Sequence, residues 1–340
     1  MGSFSKREHV AAFSERLGLT RLLESFSQKR HLIVLAYHRI GDEEQARYDP
    51  GLFSATMQEF EWQVSHVKSH LGVLSLDEAL DWLEHPNVRH GGAALITFDD
   101  GYLDNYKTAF PVLHSQGVEG TFFLATSFVG TNRIPWWDRL AYAIRWTDQQ
   151  EILLEVPRPI RFDLRTTPRE QVLRKMLSLY KSPEVMDNEQ FLSAVDAASG
   201  VAPPADPERL FLDWDEAAEM VAGGMRIASH THRHELLAKL SLDNQVEELQ
   251  RSRALIEERL SVRADVLAYP VGGPTAFSPM TYRALEQTGY RAAFSYYGGV
   301  NRPGRTDRFN IRRIPIDSDL RRPLFRLRAA TAAIVGQEVI

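Results

Sequence analysis

Apolar and polar positions alternate in blocks along the chain. HLIVLAYHRI (31–40), AALITF (93–98), GTFFLAT (120–126), MRIASH (225–230), VLAYP (266–270) and AAFSYY (292–297) are short runs with few polar breaks. Between them the apolar residues recur at helical spacing, as in residues 54–70, VLSLDEALDWLEH, YKTAFPVLHSQG, LDNQVEELQRSRALIEERL and TYRALEQTGY. Ser75 with Glu78, and Asp213 with Glu216, stand at the spacing of a capping box, so helices are expected to start there. A further amphipathic helix is expected over 8–28, with Val10, Phe13, Leu17, Leu22 and Leu23 on one side. Strands that are apolar throughout and alternate with helices predict a parallel sheet covered on both faces.

The alternation stops between about 130 and 210. NRIPWWDRLAYAIRWT predicts an aromatic-rich helix, EILLEVPRPIRFDL two short strands, and 167–181 and 188–198 two more helices. The segment is too apolar to stay solvated, so it reads as an insertion packed on the main domain rather than as a linker. The expected organisation is a helical segment over 1–30, then a main domain over 31–340 with the insertion inside it.

Composition adds mostly exclusions. A chain of 340 residues with 44% hydrophobic and 25% charged residues is ordinary for a globular protein. A net charge of −5 gives no basic surface for nucleic acid. The absence of cysteine excludes disulfides and thiolate-bound zinc. No apolar run is long enough to span a bilayer and no leader pattern is visible, so a cytoplasmic location is expected. LRRPLFRLRAATAAIVG near the C-terminus reads as a basic amphipathic helix that either touches a membrane surface or packs on the domain.

The chemistry gathers at the ends of three strands. LITF ends in Asp99-Asp100, RIAS in His230-Thr231-His232-Arg233-His234, and LAYP in Val271-Gly272-Gly273. In parallel α/β domains the C-terminal strand ends carry the ligand site. Adjacent aspartates repel unless something compensates them. A His-x-x-x-His pair with one carboxylate makes a three-ligand site with positions left open, as at catalytic zinc. The other aspartate is then available as a base toward water, which is hydrolytic chemistry. Taken singly, the aspartates fit a solvated turn and the histidines a surface pair. His232, between the other two, is a candidate for a supporting role only.

TFDDGYLDNY and SHTHRH, in this order, resemble the first two motifs of the polysaccharide deacetylase (NodB-homology) family, carbohydrate esterase family four. The resemblance spans about residues 31–317 with the insertion looped out. It implies an α/β fold, a distorted (β/α)7 barrel with a mostly helical insertion between the first two catalytic motifs. It implies metal-dependent removal of acetyl groups from an N-acetylated glycan, in exopolysaccharide or cell-envelope metabolism. It also implies Asp99 as catalytic base, and Asp100, His230 and His234 as ligands of a divalent ion, usually zinc.

Two departures matter. The family's third motif carries an arginine that orients the base and a tyrosine whose backbone N–H faces the oxyanion. Here the stretch is Ala268-Tyr269-Pro270-Val271-Gly272, so Val271 N–H takes that place and the arginine must come from elsewhere. Arg313, in Ile311-Arg312-Arg313-Ile314-Pro315, is the candidate, the alternative being a surface ion pair. The family's general acid is a C-terminal histidine, but no histidine follows His234. His38 resembles the histidine that an N-terminal Tyr-His segment supplies in the circularly permuted branch; the alternative is a core-edge histidine bonded to backbone. Tyr269, Val271 and Trp137 are expected on the substrate side, although Trp136 and Trp137 would equally serve as the insertion's own core. Two other readings stay open: hydrolysis of a small nucleotide-sugar or non-sugar amide, which would keep all these residues, and non-catalytic glycan binding, which would keep the fold but lose a ligand or the base.

Overall fold

In the computed structural model, residues 11, 13–20, 31–86 and 91–331 are described. Seven parallel strands of an eight-stranded sheet follow one another through the described residues: β1 (Leu32–Tyr37), β2 (Ala93–Phe98), β3 (Gly120–Leu124), β4 (Arg226–Ser229), β5 (Val266–Ala268), β6 (Ala292–Phe294) and β7 (Ile314–Pro315), with the short Gly72–Val73 strand pairing beside β2. Their order across the sheet is β6-β5-β4-β3-β2-β1-β7. A parallel bridge between Phe294 and Ile311 joins β6 to the residues that lead into β7, so the two edges of the sheet meet. The parallel sheet expected from the strand pattern thus curls into the distorted (β/α)7 barrel that the family resemblance implies.

The apolar runs lack alternation because the two faces of each strand have different partners. Ile33, Leu35 and Tyr37 of β1, with Ala94, Ile96 and Phe98 of β2, pack against Phe60, Val64 and Val67 of helix Met57–His70. The opposite parity, Leu32, Val34, Ala93 and Leu95, packs with Phe123, Ala268, Phe294 and Ile311 inside the ring. Helix Leu76–Glu84 adds Leu76, Leu80 and Trp82 to that interior and starts at the expected Ser75/Glu78 capping box. Thr97 and Asp99 continue the inward parity, which carries Asp99 to the barrel mouth.

The sequence predicts a strand over 31–40, but β1 ends at Tyr37 because the His38 N–H leaves the ladder for Ser54 Oγ (3.0 Å). Arg39–Ile40 then pairs with Phe53–Ala55 in a separate small sheet. Of the helix expected over 8–28, residues 11, 13–16 and 19–20 are helical with a turn at Leu17 and Gly18 between them; the other positions lie outside the described residues. The C-terminal helix Arg322–Thr331 buries Phe325 edge-on against Trp62, and Arg322 sits over the same indole, so its apolar side is spent on the barrel. Residues 332–336 of that expected helix lie outside the described residues. Among the described residues no helix is long and apolar enough to cross a membrane.

A second compact unit comprises Thr131–Leu210 together with Glu43–Gly51. It contains helices Trp136–Trp146, Arg169–Lys181 and Asn188–Ser199 and an antiparallel pair, Glu151–Leu154 with Ile160–Asp163. Trp146 Nε1 donates to the Arg47 carbonyl (3.0 Å), one of the bonds that attaches the 43–51 segment to the unit.

Candidate active site

The Asp99-Asp100 pair stands where β2 ends beside β1. Tyr37 and Phe98 are register partners and Asp99 N donates to the Tyr37 carbonyl (2.9 Å), so His38 and Asp99 follow side by side. Asp100 is in the left-handed region (φ 73) and Gly101 after it likewise (φ 83). A side chain at Gly101 would meet Leu124 Cδ2 at 2.7 Å, which explains the glycine behind the two aspartates.

The two carboxylates have different partners. Asp99 is bound by Arg313 through Nη1 to Oδ1 and Nη2 to Oδ2, both at 2.7 Å, and both side chains are buried. Arg313 Nε donates to the Ser295 carbonyl (2.9 Å), and its guanidinium lies between the rings of Phe123 and Tyr296. Burial alone would raise the Asp99 carboxyl, but Arg313 and then His230 outweigh it and hold the group below the usual carboxylate range. It is therefore ionised at neutral pH.

Asp100 has no cationic side chain against it. Its Oδ1 is buried and receives no hydrogen bond, yet faces His234 Nε2 at 3.3 Å and His230 Nε2 at 3.4 Å. The ligand atoms of these three residues lie within 4.8 Å of one another. His230 Nδ1 is 2.7 Å from the Ala268 carbonyl, a contact that puts the proton there and leaves the Nε2 lone pair facing Asp100. Burial lowers the pKa of His234, which favours the neutral, ligating form. An orphaned carboxylate oxygen with two imidazole nitrogens around it is a donor set that fits a divalent cation of borderline softness, zinc among them.

The strand ends are strained. Besides Asp100, the non-glycine residues Thr231 (φ 64), His234 (φ 58) and Val271 (φ 65) are left-handed. For β-branched threonine and valine this conformation costs about 1–3 kcal/mol each, and such outliers gather at functional sites. The Val271 N–H finds no acceptor among the described residues, and Gly272 next to it donates to the Pro270 carbonyl (2.7 Å). Gly272 is also left-handed (φ 60), and a Cβ there would strike Tyr296 at 2.6 Å.

His38 is half-buried, with its ring edge-on to Tyr296 (5.3 Å), the residue whose ring also lies against Arg313. Its backbone is fixed from both sides: Ser54 Oγ accepts its N–H, and Asn105 Nδ2 donates to its carbonyl (2.7 Å). Asp104 accepts Arg39 Nε (2.8 Å) and Ile40 N–H (3.1 Å), and Arg39 lies between the rings of Phe53 and Tyr102. The DDGYLDN segment thus supplies both aspartates and also holds the His38 segment.

The structure brings Asp99, Asp100, His230, His234, Arg313, Val271 and His38 to one end of the barrel. It places the others elsewhere. Trp137 is 5% exposed, edge-on to Trp136, which stacks on Tyr180 at 4.1 Å in the core of the second unit. Tyr269 is buried, stacked on Phe277, with its hydroxyl donating to the Phe309 carbonyl (2.8 Å). Both side chains are consumed by packing, which is the physical reason neither is presented to a ligand by its own unit. His232 is within 3.0 Å of Thr126 Oγ1 through Nδ1 and stays outside the ligand set. Asn105 and Asp104 were legible only as part of a motif; their contacts are to residues 64–67 positions away.

Comparisons with known proteins agree with this geometry. A sequence model of the family described as polysaccharide deacetylase matches residues 87–293. YxkH of Bacillus subtilis (strain 168) is 23% identical over 277 residues, covering 82% of this chain and 67% of its own. Among solved structures, the Streptococcus pyogenes deacetylase PplD in complex with acetate matches with a TM-score of 0.58 at 17% identity, over 88% of this chain and 98% of that one. IcaB from Ammonifex degensii matches with a TM-score of 0.57 at 22% identity, over 90% and 98%.

Proposed function

The chain belongs to the polysaccharide deacetylase family, and from that premise we propose that it hydrolyses N-acetyl groups of an amino-sugar glycan with the help of a divalent ion. One observation carries the proposal: two adjacent buried aspartates have been given opposite surroundings, Asp99 an arginine and Asp100 two imidazole nitrogens. That division separates a base from a ligand.

Asp100, His230 and His234 would hold the ion, with zinc the proposed metal. When bound, it supplies Lewis-acid polarisation of the acetamide carbonyl and a more acidic water. Asp99, kept ionised and oriented by Arg313, accepts a proton from the water that attacks the carbonyl carbon. The unclaimed Val271 N–H donates to the oxygen on which negative charge develops. His38 gives its proton to the departing nitrogen, since an amide anion leaves poorly without one. One water and one amide bond are consumed, and acetate and a free amine result. The substrate proposed is a glycan polymer of the exopolysaccharide or cell-envelope kind.

The test is acetate release from N-acetylglucosamine oligomers by the zinc-loaded chain. A chain that deacetylates only small nucleotide sugars or non-sugar amides would overturn the substrate class. One that binds the oligomers without releasing acetate would overturn the activity.

A further inference from the structure

Glu248 has no part in the chemistry above. It lies on helix Leu242–Leu260 with its side chain 1% exposed. Its Oε2 accepts the main-chain N–H groups of His232 (3.1 Å) and Arg233 (2.7 Å), and its Oε1 accepts Arg233 Nε (2.6 Å). Those two amides lie between His230 and His234 and follow directly on left-handed Thr231. Successive N–H groups at such a turn form a concavity that binds anions. Here a carboxylate of the chain itself occupies it.

The turn needs such ties because both Thr231 and His234 sit in a costly conformation. Thr126 and Ser127 hold it from one side, donating to the carbonyls of Thr231 (3.2 Å) and His232 (2.8 Å). Thr231 Oγ1 closes it by accepting His234 N–H (3.1 Å). Glu248 holds the other side with three donors on two oxygens. A glutamine cannot reproduce this, since one of its two terminal atoms is itself a donor and would face a donor.

We propose that Glu248 is a positioning residue for the metal centre: by fixing the turn it sets the spacing of His230 and His234, and with it the affinity for the divalent ion. This rests on the metal reading above. Outer partners of metal ligands typically change affinity about 10- to 100-fold when removed.

The experiment is a zinc titration of metal-free protein against a chromophoric chelator, for wild type, Glu248→Gln and Arg253→Ala. Arg253 is on the same helix but bonds Glu257 and the carbonyls of Thr288 and Gly289. Glu248→Gln should bind zinc about 10- to 100-fold more weakly while remaining folded, with kcat returning toward wild type at saturating zinc. Arg253→Ala should keep wild-type zinc affinity whatever its melting temperature. A folded Glu248→Gln with zinc affinity within twofold of wild type, or an equal loss in Arg253→Ala, overturns the proposal. Should the glutamine variant not fold, Glu248→Asp keeps the charge but falls one methylene short, and must show weakened zinc binding too. A wild type that binds no zinc, cobalt or manganese would instead strike the metal reading itself, before any variant is compared.

Discussion

Arg313 and Asp99 form a buried two-pronged ion pair, with both terminal guanidinium nitrogens 2.7 Å from a carboxylate oxygen and a separation of 214 positions along the chain. The pair links the approach to β7 with the end of β2, on either side of β1. Burying two charges is expensive, and the pair persists because Ser295 and Thr97 take further guanidinium hydrogens.

Breaking the pair from one side leaves a charge alone in the interior. Arg313→Met should therefore destabilise the fold by about 3–5 kcal/mol, and Asp99→Asn/Arg313→Met should recover much of that loss while remaining inactive. Arg313→Lys keeps the charge but not the fork, and should lower kcat about 100-fold with zinc content unchanged. Chemical denaturation, steady-state kinetics and metal analysis of the three variants check both statements.

His38 should matter only where the leaving group needs a proton. His38→Gln is expected to slow deacetylation of an N-acetylated sugar by about 100-fold or more. Hydrolysis of an activated acetyl ester such as 4-nitrophenyl acetate should fall far less, because nitrophenolate departs unaided. Equal losses on both substrates would assign His38 to structure instead.

Asn105 is expected to act through His38, whose carbonyl it holds, rather than on substrate. Asn105→Ala leaves the His38 carbonyl without its donor, which should cost about 1–3 kcal/mol in stability. It should reduce kcat about tenfold or more with KM little changed, since displacing a proton donor slows the reaction without removing substrate contacts. Steady-state kinetics on the amide substrate separates the two parameters.

Val271 is expected to contribute its backbone alone. Val271→Gly keeps the N–H and removes a β-branched side chain from a left-handed position, so kcat should stay within about threefold. Stability should hold or rise by about 1 kcal/mol, strain relief outweighing the added freedom of the unfolded chain. Loss of activity in a folded Val271→Gly would show that the valine side chain, not the amide, is what the site uses.

The sequence made the barrel strands legible because both faces of each strand are buried, leaving unbroken apolar runs. The donor set was legible because Asp99-Asp100 and His230-Thr231-His232-Arg233-His234 are local patterns. What required the fold was long-range pairing. Arg313 could be named as the arginine for Asp99 through the family's third motif, but nothing nearby in the chain decides between that pairing and a surface ion pair. Glu248 reads as a solvent-side position of an amphipathic helix, and only the turn that folds over it gives it three donors. Residues 43–51 carry no signal that they join the insertion's unit. Trp137 was open to two readings, and its ring, set edge-on to the stacked Trp136–Tyr180 pair, explains why an aromatic motif can be core and resemble a sugar platform at once.

The division of labour between the two aspartates is tested most directly by Asp99→Asn, assayed for acetate release from N-acetylglucosamine oligomers at measured zinc content. The expected result is one zinc per chain, as in wild type, with turnover reduced by about 1,000-fold or more. Wild-type turnover in the variant, or loss of the zinc together with the activity, would contradict a free base at Asp99 beside a ligand at Asp100.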